Sequence, residues 1–279
     1  MRSPERAGMT YETIVFERRG RTACITLNRP ERLNAVDHQM IAELEHAYRT
    51  VENDPDIWTY IMTGAGDRAL CSGADVGVIP DSALPGQDTR GESPLASYWQ
   101  WDAPQEATPP YLRMTKPMIC AVNGLAAGAG LDLVTTADLV IAADSATFFD
   151  PHVSIGVASG REAVRLARVL PLNIAMRVAL MGRQERLGAQ RAYELGLVSE
   201  LVPREALLER AWELAEMLNK NAPLAVRGTR LAVRKGLGLP VYEAELLAEG
   251  HRLRVAATED AREGPQAFLD KRDPHWKAR

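Results

Sequence analysis

Strand-like runs alternate with helical segments over residues 10–203, and this order constrains the fold more than any other feature of the chain. The runs "ETIVFER" and "TACITL" favour strands and are joined across Gly20, which predicts a β-hairpin. The runs "WTYIMTG", "PMICAVNG" and "LVIAAD" are apolar enough for strands buried on both faces. Between them, helical periodicity after an Asp37 cap predicts a helix from His38 to about Asn53. Since the last predicted strand, "LVSELV", ends at residue 202 and only helices are predicted from residue 204 on, we expect an α/β core over 10–203 and a C-terminal helical module over 204–279.

The overall charge and the cysteines exclude several classes of protein. The 279 residues carry a formal net charge of −4 without clustered basic residues, which argues against a nucleic-acid-binding surface. No run of about 18 apolar residues is present, so we expect no membrane span. The cysteines Cys24, Cys71 and Cys120 are far apart, without the CxxC spacing of a metal site, and their odd number gives no disulfide framework. We therefore expect a cytoplasmic protein without a metal centre.

One long connection does not fit the alternating pattern. Residues 79–110 hold six prolines together with Tyr98, Trp99 and Trp101. A connection of this length is typical of an active-site lid or a binding loop. The alternative is a disordered surface insertion, although clustered aromatic residues are poor material for disorder.

The stretch "AVNGLAAGAGLDL", residues 121–133, consists mostly of glycine, alanine and other small residues, so few side chains cover its backbone. It lacks the GxGxxG spacing of a dinucleotide-binding fingerprint. A helix beginning within it would expose unpaired N–H groups, which attract developing negative charge. The amide of Ala129 is then one oxyanion donor, and the amide of Ala74 in the turn "CSGAD" is a candidate for the second. The alternative is that both stretches are only tight turns.

Several motifs in a fixed order resemble one family. They are "ITLNRPERLNAVD", "TGAGDRALCSGADV", "KPMICAVNGLAAGAGLDLVTTADLVIAADSATF" and "GLVSELVP". Together they resemble the crotonase superfamily, also called enoyl-CoA hydratase/isomerase, over about residues 11–271. The resemblance implies a spiral of ββα units followed by helices that form trimers, commonly paired into hexamers. It also implies acyl-CoA thioester substrates and no tightly bound cofactor besides the coenzyme A of the substrate. The implied oxyanion hole is made by the amides of Ala74 and Ala129, and the family usually has glycine in place of Ala129.

The same resemblance implies where coenzyme A is bound. The segment "NRPERLNA", the turn "SGAD" and the ending "AFLDKRDPHW" match the corresponding segments of the family. The residues at matching positions are Arg29, Arg32, Leu33, Ala35, Ser72, Gly73, Asp75, Phe268 and Lys271. Arg32 is either a phosphate contact or an ordinary surface arginine, and the last two residues are expected to reach the coenzyme A of a neighbouring subunit.

The chain departs from the family at both catalytic positions. Typical hydratases of the family use two glutamates, one to handle the proton at Cα and one to activate water. Here Asp132 stands at the first position, three residues after Ala129 and on the same helix face. His152 stands at the second, and a histidine can also act as an acid or a base. Asp150, two residues earlier, would orient the imidazole or be the acid itself. The alternatives are a helix-capping aspartate and a histidine that only shapes the pocket.

These residues favour hydration of an enoyl-CoA by an Asp/His pair. An enoyl-CoA isomerase with Asp132 alone, or hydrolysis or C–C cleavage of a β-keto-acyl-CoA, would use the same enolate. A non-catalytic acyl-CoA binder is a further alternative. Some relatives of the family bind RNA, but the negative charge argues against this function here. In the same region, the sequence predicts that Ser159 caps the helix that begins with "GREAVRLARVL".

Overall fold

The computed structural model describes residues 10–75, 77 and 114–279, and the predicted lid at 79–110 lies outside them. The α/β class expected from the sequence is confirmed. The strands are β1 (Ile14–Arg19), β2 (Thr22–Leu27), β3 (Thr59–Gly64), β4 (Ala69–Cys71), β5 (Met118–Val122), β6 (Leu125–Ala127), β7 (Leu139–Ala143), β8 (Thr147–Phe149), β9 (Leu187–Gly188) and β10 (Glu200–Val202). The helices are α1 (His38–Asn53), α2 (Ala129–Thr136), α3 (Arg161–Val169), α4 (Leu172–Met181), α5 (Ala189–Glu194), α6 (Leu207–Asn219), α7 (Pro223–Gly236), α8 (Val241–Ala256) and α9 (Asp260–Leu269).

The strands form two mixed sheets. The first has the order β1-β2-β3-β5-β7-β10, and all its neighbouring pairs are parallel except the β1-β2 hairpin. Gly20 turns this hairpin with a φ of +55°, a conformation that glycine adopts readily. The second sheet has the order β4-β6-β8-β9, with only the last pair antiparallel.

Helix α1 begins where its sequence predicts. The Asp37 side chain accepts a hydrogen bond of 2.8 Å from the amide of Met40, which satisfies one unpaired donor of the first turn. Met40, Ala47 and Val51 recur at helical spacing and are fully buried. The capping residue and the apolar stripe thus fix the start and the orientation of this helix.

Helix α6 covers one face of the six-stranded sheet. Its residues Ala211, Trp212 and Ala215 pack in one apolar cluster with Ile61 and Ile119 of the central strands. The helical region after residue 203 therefore starts with a helix that shares the core of the sheet. The predicted boundary between 10–203 and 204–279 stays a prediction.

One carboxylate ties helix α7 to the sheet. Asp138 accepts hydrogen bonds from the amide of Met118 at 2.8 Å, from Arg230 at 2.6 Å and from Arg234 at 3.0 Å. Because ionised partners strengthen such bonds, the contact holds the helix against the start of strands β5 and β7.

The second sheet brings together the segments that carry the candidate site. Strands β4, β6 and β8 are parallel neighbours, with Cys71 opposite Ala126. Residues 72–75, residue 128 and residues 150–152 follow these strands directly. Since the carboxyl ends of parallel strands meet at one edge of a sheet, the three segments emerge next to each other.

Candidate active site

Two tight bends touch at this edge. Gly73 and Gly128 have φ values of +112° and +52°, which side-chain-bearing residues rarely adopt. A Cβ atom on Gly128 would lie 3.2 Å from the Cα of Gly73. The residues that follow the two glycines, Ala74 and Ala129, therefore lie on adjacent pieces of backbone.

The amides of these two alanines are available to a ligand. Ala129 is the first residue of α2, and the first amides of a helix have no acceptor within it. In the described part of the chain, neither the Ala74 nor the Ala129 amide donates a hydrogen bond to another backbone group, whereas the amide of Asp75 donates to Val36 at 2.9 Å. Both amides can thus donate to a bound oxygen.

The bends are locked together by close backbone contact. A Cβ atom on Gly130 would lie 2.4 Å from the carbonyl oxygen of Cys71, so no side chain fits there. The Cys71 thiol accepts a 3.4 Å hydrogen bond from the Gly73 amide. Burial raises the pKa of Cys71 to about 12, so the thiol stays protonated and is a packing group rather than a nucleophile.

The two segments predicted to hold coenzyme A are joined through their backbones. The amide of Ser72 donates to the carbonyl of Leu33 at 3.1 Å, and the amide of Val36 donates to Gly73 at 2.9 Å. The predicted residues on "NRPERLNA" and "SGAD" therefore lie together beside the bends, where Ala35 and Gly73 are buried and the others are at least partly exposed on one surface.

The two arginines of this surface differ in environment. Arg29 donates to the carbonyl of Ala35 at 2.6 Å and contacts Asp75 at 3.1 Å and Asp37 at 3.2 Å, so its guanidinium group joins the two segments. Arg32 is exposed, and none of the described ion pairs includes it. Of the two, Arg32 is the side chain available to a phosphate.

Asn34 holds the same segment in place by hydrogen bonds, and it is not among the site residues predicted from the sequence. It has a φ of +55° and is fully buried. Its side chain accepts from the Arg29 amide at 2.9 Å and donates to the carbonyls of Ala65 and Ala69 at 3.0 and 2.8 Å. An asparagine in a bend is the available sequence signal, since this residue tolerates the left-handed region.

Phe268 and Lys271 are not brought to the site within one subunit. Phe268 lies on α9 with 84% of its surface exposed, and Lys271 is exposed just beyond the helix. In the described residues, no hydrogen bond or ion pair joins either side chain to the bends. Their predicted contact with coenzyme A of a neighbouring subunit stays a prediction.

Asp132 is buried in the first turn of α2 and is held by α3. It is 3% exposed, one carboxylate oxygen is 2.7 Å from Arg165 and the other is 3.4 Å from Arg161. Arg165 also donates to the hydroxyl of Thr136 at 3.0 Å. Both oxygens of Asp132 therefore face guanidinium groups, which fix the orientation of the carboxylate.

The structure brings His152 and Asp150 together as the sequence suggests. The Nδ1 atom of His152 lies 2.5 Å from a carboxylate oxygen of Asp150, and His152 begins a short 3₁₀ turn (His152–Ile155). The Ser159 hydroxyl donates to the other oxygen of Asp150. The predicted capping role of Ser159 is wrong, because α3 is capped by Gly160 and the Ser159 hydroxyl is used by the carboxylate instead.

The two groups shift each other's proton affinity in opposite directions. The hydrogen bond to Asp150 raises the pKa of His152, against the effect of burial. Burial acts to raise the pKa of Asp150, but the hydrogen bonds from His152 and Ser159 outweigh it, so that this pKa lies below its ordinary value. The pair therefore favours an imidazolium next to a carboxylate.

A further carboxyl group lies in the same place. Glu162, in the first turn of α3, is 1% exposed. Burial raises its pKa, and the charge of Asp132 raises it further. From the sequence alone, a glutamate in the first turn of a helix is expected to be exposed and to interact with the helix dipole. The burial of Glu162 is apparent only once α3 is packed in the structure.

The described residues contain neither a cluster of candidate metal ligands nor a membrane-spanning helix. No group of three or more His, Cys, Asp or Glu side chains is arranged to hold a metal ion among them. None of the helices in these ranges is long and apolar enough to cross a membrane.

Comparisons with known proteins place this geometry in a family. A family model described as enoyl-CoA hydratase/isomerase matches residues 17–279. Carnitinyl-CoA dehydratase of Citrobacter koseri is 34% identical over 275 residues, covering 96% of this chain and 99% of the relative. Carnitinyl-CoA dehydratase of Escherichia coli strain K12 is 34% identical over 273 residues, with coverages of 96% and 99%.

Solved structures agree. An enoyl-CoA hydratase/isomerase from Mycobacterium paratuberculosis is 56% identical, with a TM-score of 0.83 over 96% of this chain and 99% of that chain. Enoyl-CoA hydratase from Bacillus anthracis is 28% identical, with a TM-score of 0.85 over 96% of this chain and 100% of that chain. The fold, the paired bends and the extent of these matches lead to one conclusion: this chain belongs to the enoyl-CoA hydratase/isomerase family, the crotonase superfamily of acyl-CoA-processing enzymes.

Proposed function

We propose that this enzyme catalyses the reversible addition of water to the C2–C3 double bond of an enoyl-CoA thioester. The contact between Gly73 and Gly128 carries the proposal, because it joins the two bends that are followed by Ala74 and Ala129. In this proposal the amides of these two alanines hold the oxygen of a thioester enolate. The name of the carnitinyl-CoA dehydratase relatives denotes the same class of reaction, loss of water from a CoA thioester.

His152 is the group that handles water in this proposal. Its Nδ1 atom is bound to Asp150, so the Nε2 atom is the one that exchanges protons with the substrate. During hydration, neutral His152 accepts a proton from water as the water oxygen bonds to Cβ. During dehydration, the imidazolium returns that proton to the departing hydroxyl group, and the raised pKa of His152 favours this form.

The acidic side of the site, built around Asp132, handles the proton at Cα. Asp132 lies one helical turn after the Ala129 amide and is oriented by Arg161 and Arg165. A proton passes from this side to Cα as the electron pair of the enolate forms the new C–H bond. The negative charge of the enolate is meanwhile held by the two amides, so neither proton transfer has to produce a free carbanion.

Coenzyme A enters as part of the substrate in this proposal, and no tightly bound cofactor takes part. The surface that contains Arg32, Leu33 and Ser72 lies beside the bends and would hold it. Assembly into trimers or hexamers belongs to the same proposal and is supported by exposed apolar side chains on the C-terminal helices, including Val241 and Phe268. A cytoplasmic location is supported by the cysteines, all of which are free and buried.

The proposal is tested by measuring turnover. Crotonyl-CoA, longer 2-enoyl-CoA thioesters and a β-keto-acyl-CoA are incubated with the wild-type protein, and the products are identified by mass spectrometry. We expect a mass gain of one water with the enoyl substrates. Migration of the double bond would instead show an isomerase, and cleavage of the β-keto substrate would show a hydrolase or a C–C lyase. Binding of every thioester without product would contradict catalysis altogether.

A further inference from the structure

Glu162 is a buried carboxyl group that the mechanism above does not use. Neither of its oxygens has a hydrogen-bond partner among the described residues. A buried polar group without a partner destabilises the folded state, so its presence calls for an explanation other than stability. Leu166, one turn later on the same side of α3, is fully buried, which shows that this side of the helix faces the interior.

The neighbours of Glu162 are the charged groups of the candidate site. Arg161 and Arg165, on either side of it along α3, both reach Asp132 on α2. The charges of Asp132, of Arg161 and of His152 on the adjoining 3₁₀ turn act on the Glu162 carboxyl group. Glu162 therefore belongs to the same cluster of charged groups as Asp132, Arg161 and His152.

The two carboxyl groups of this cluster differ in their partners. Asp132 faces a guanidinium group with each oxygen, whereas neither oxygen of Glu162 has a hydrogen-bond partner among the described residues. Glu162 is buried beside the charge of Asp132, and both effects raise its pKa. Glu162 therefore favours the protonated form, in a carboxyl group whose oxygens no described residue binds.

We propose that Glu162 is the residue that holds the proton delivered to Cα, and that Asp132 is a positioning residue for it. This inference rests on the function proposed above. Water bonds to Cβ as His152 accepts its proton, and the π electrons of the double bond move into the enolate. The enolate then takes the proton of Glu162 at Cα and leaves a carboxylate. Transfer of the proton from the imidazolium of His152 to that carboxylate restores both residues.

Hydrogen exchange at Cα isolates this step from the attack of water. Saturated butyryl-CoA has no double bond to hydrate, so deuterium uptake from D₂O reports only proton transfer at Cα. The wild type, Glu162→Gln, Glu162→Asp and the matched control Glu205→Gln, whose glutamate is exposed, are compared in this exchange and in crotonyl-CoA hydration. Calorimetry measures the Kd of butyryl-CoA for each variant.

We expect Glu162→Gln to lower both exchange and hydration at least about 100-fold, with Kd within about 3-fold of wild type, because Gln cannot release a proton. Glu162→Asp should restore part of both rates, and Glu205→Gln should leave them unchanged. The wild-type exchange rate should rise as the pH passes the raised pKa of Glu162, since the ionised carboxylate is the base in exchange.

Wild-type exchange in Glu162→Gln would overturn the inference and assign the step to Asp132. Hydration by the wild type without exchange would also overturn it, while leaving the proposed function intact. Exchange that depends on Glu162 without any hydration would support the inference and reject hydration as the function. Absence of both activities in the wild type would reject both. If Glu162→Gln does not fold, wild-type exchange in a folded Glu162→Asp variant would contradict the inference, and exchange at a clearly lower rate would support it.

Discussion

The backbones of Gly73 and Gly128 meet so closely that a Cβ atom on Gly128 would lie 3.2 Å from the Cα of Gly73. The two glycines are 55 residues apart in the sequence, since 128 − 73 = 55. Their contact joins two bends that are distant in the sequence, and each glycine is followed by an amide that no backbone group of the described residues accepts.

Substitution of Gly128 should impair catalysis more than binding. Gly128→Ala introduces a Cβ atom against Gly73 and a side chain at positive φ, so the two amides should separate. We expect kcat to fall about 100-fold, the usual effect of losing one oxyanion donor, with little change in the Kd for acyl-CoA. Gly188→Ala is the matched control, because nothing lies within 4 Å of its added Cβ atom. An unchanged kcat in a folded Gly128→Ala variant would remove the proposed oxyanion hole.

The His152–Asp150 pair should make stability depend on pH. The raised pKa of His152 means that its contribution is complete below its ordinary value of 6.5 and is lost as the pH rises through the raised pKa. The lowered pKa of Asp150 means that its contribution is present above 3.8 and is lost as the pH falls through the lowered pKa. Urea unfolding at about pH 5.5 and about pH 8.5 should therefore show a larger loss of stability for His152→Gln at the lower pH.

His251→Gln, on helix α8, is the control for this experiment. The result that contradicts the ion pair is an equal loss of stability for His152→Gln at both pH values. In the same variant, kcat should fall at least about 100-fold if the imidazole handles the proton of water.

Asp132→Asn should lower kcat at least about 100-fold and leave the affinity for coenzyme A nearly unchanged. Asparagine keeps the shape of the side chain but loses the charge that Arg161 and Arg165 bind. Initial rates of crotonyl-CoA hydration and calorimetry with butyryl-CoA measure the two quantities. The exposed Asp144→Asn variant is the control. A variant with normal kcat would exclude Asp132 both as a proton carrier and as a positioning residue.

The two arginines of the surface that is proposed to hold coenzyme A should respond differently to truncation. Arg32→Ala should raise the Kd for acyl-CoA about 5-fold, the effect of losing one exposed ionic contact of about 1 kcal/mol, with unchanged thermal stability. Arg29→Ala should lower the unfolding temperature as well, because it leaves Asp37 and Asp75 without their shared cation. Calorimetry and thermal unfolding measure both effects, with Arg49→Ala as the surface control. Equal effects of Arg32→Ala and Arg49→Ala on Kd would remove Arg32 from the phosphate site.

Local signals predicted much of the fold and part of the site. The Asp37 cap and the apolar stripe of α1 act within one helix, so they can be read directly from the sequence. Asp150 and His152 are close in the chain, and their contact follows from that proximity. The Ser159 cap was wrong because a nearby carboxylate competes for the same hydroxyl group, and sequence spacing alone does not show which partner wins.

Contacts between distant helices could not be predicted in this way. Arg165 meets Asp132 across 33 residues of sequence, and Glu162 becomes buried only when α3 packs against α2. In the sequence, these side chains have the appearance of solvated residues on an amphipathic helix. Their role depends on which face the tertiary structure covers.

The carboxylate of Asp138 should make unfolding of the sheet and of the C-terminal helices cooperative. Asp138 binds two arginines of α7 and also accepts a hydrogen bond from the first residue of β5. Separation of the C-terminal helices from the sheet would therefore leave a desolvated carboxylate without its partners. The C-terminal helices and the sheet should therefore unfold in a single cooperative transition. Limited proteolysis should detect no intermediate in which only the C-terminal helices are cleaved.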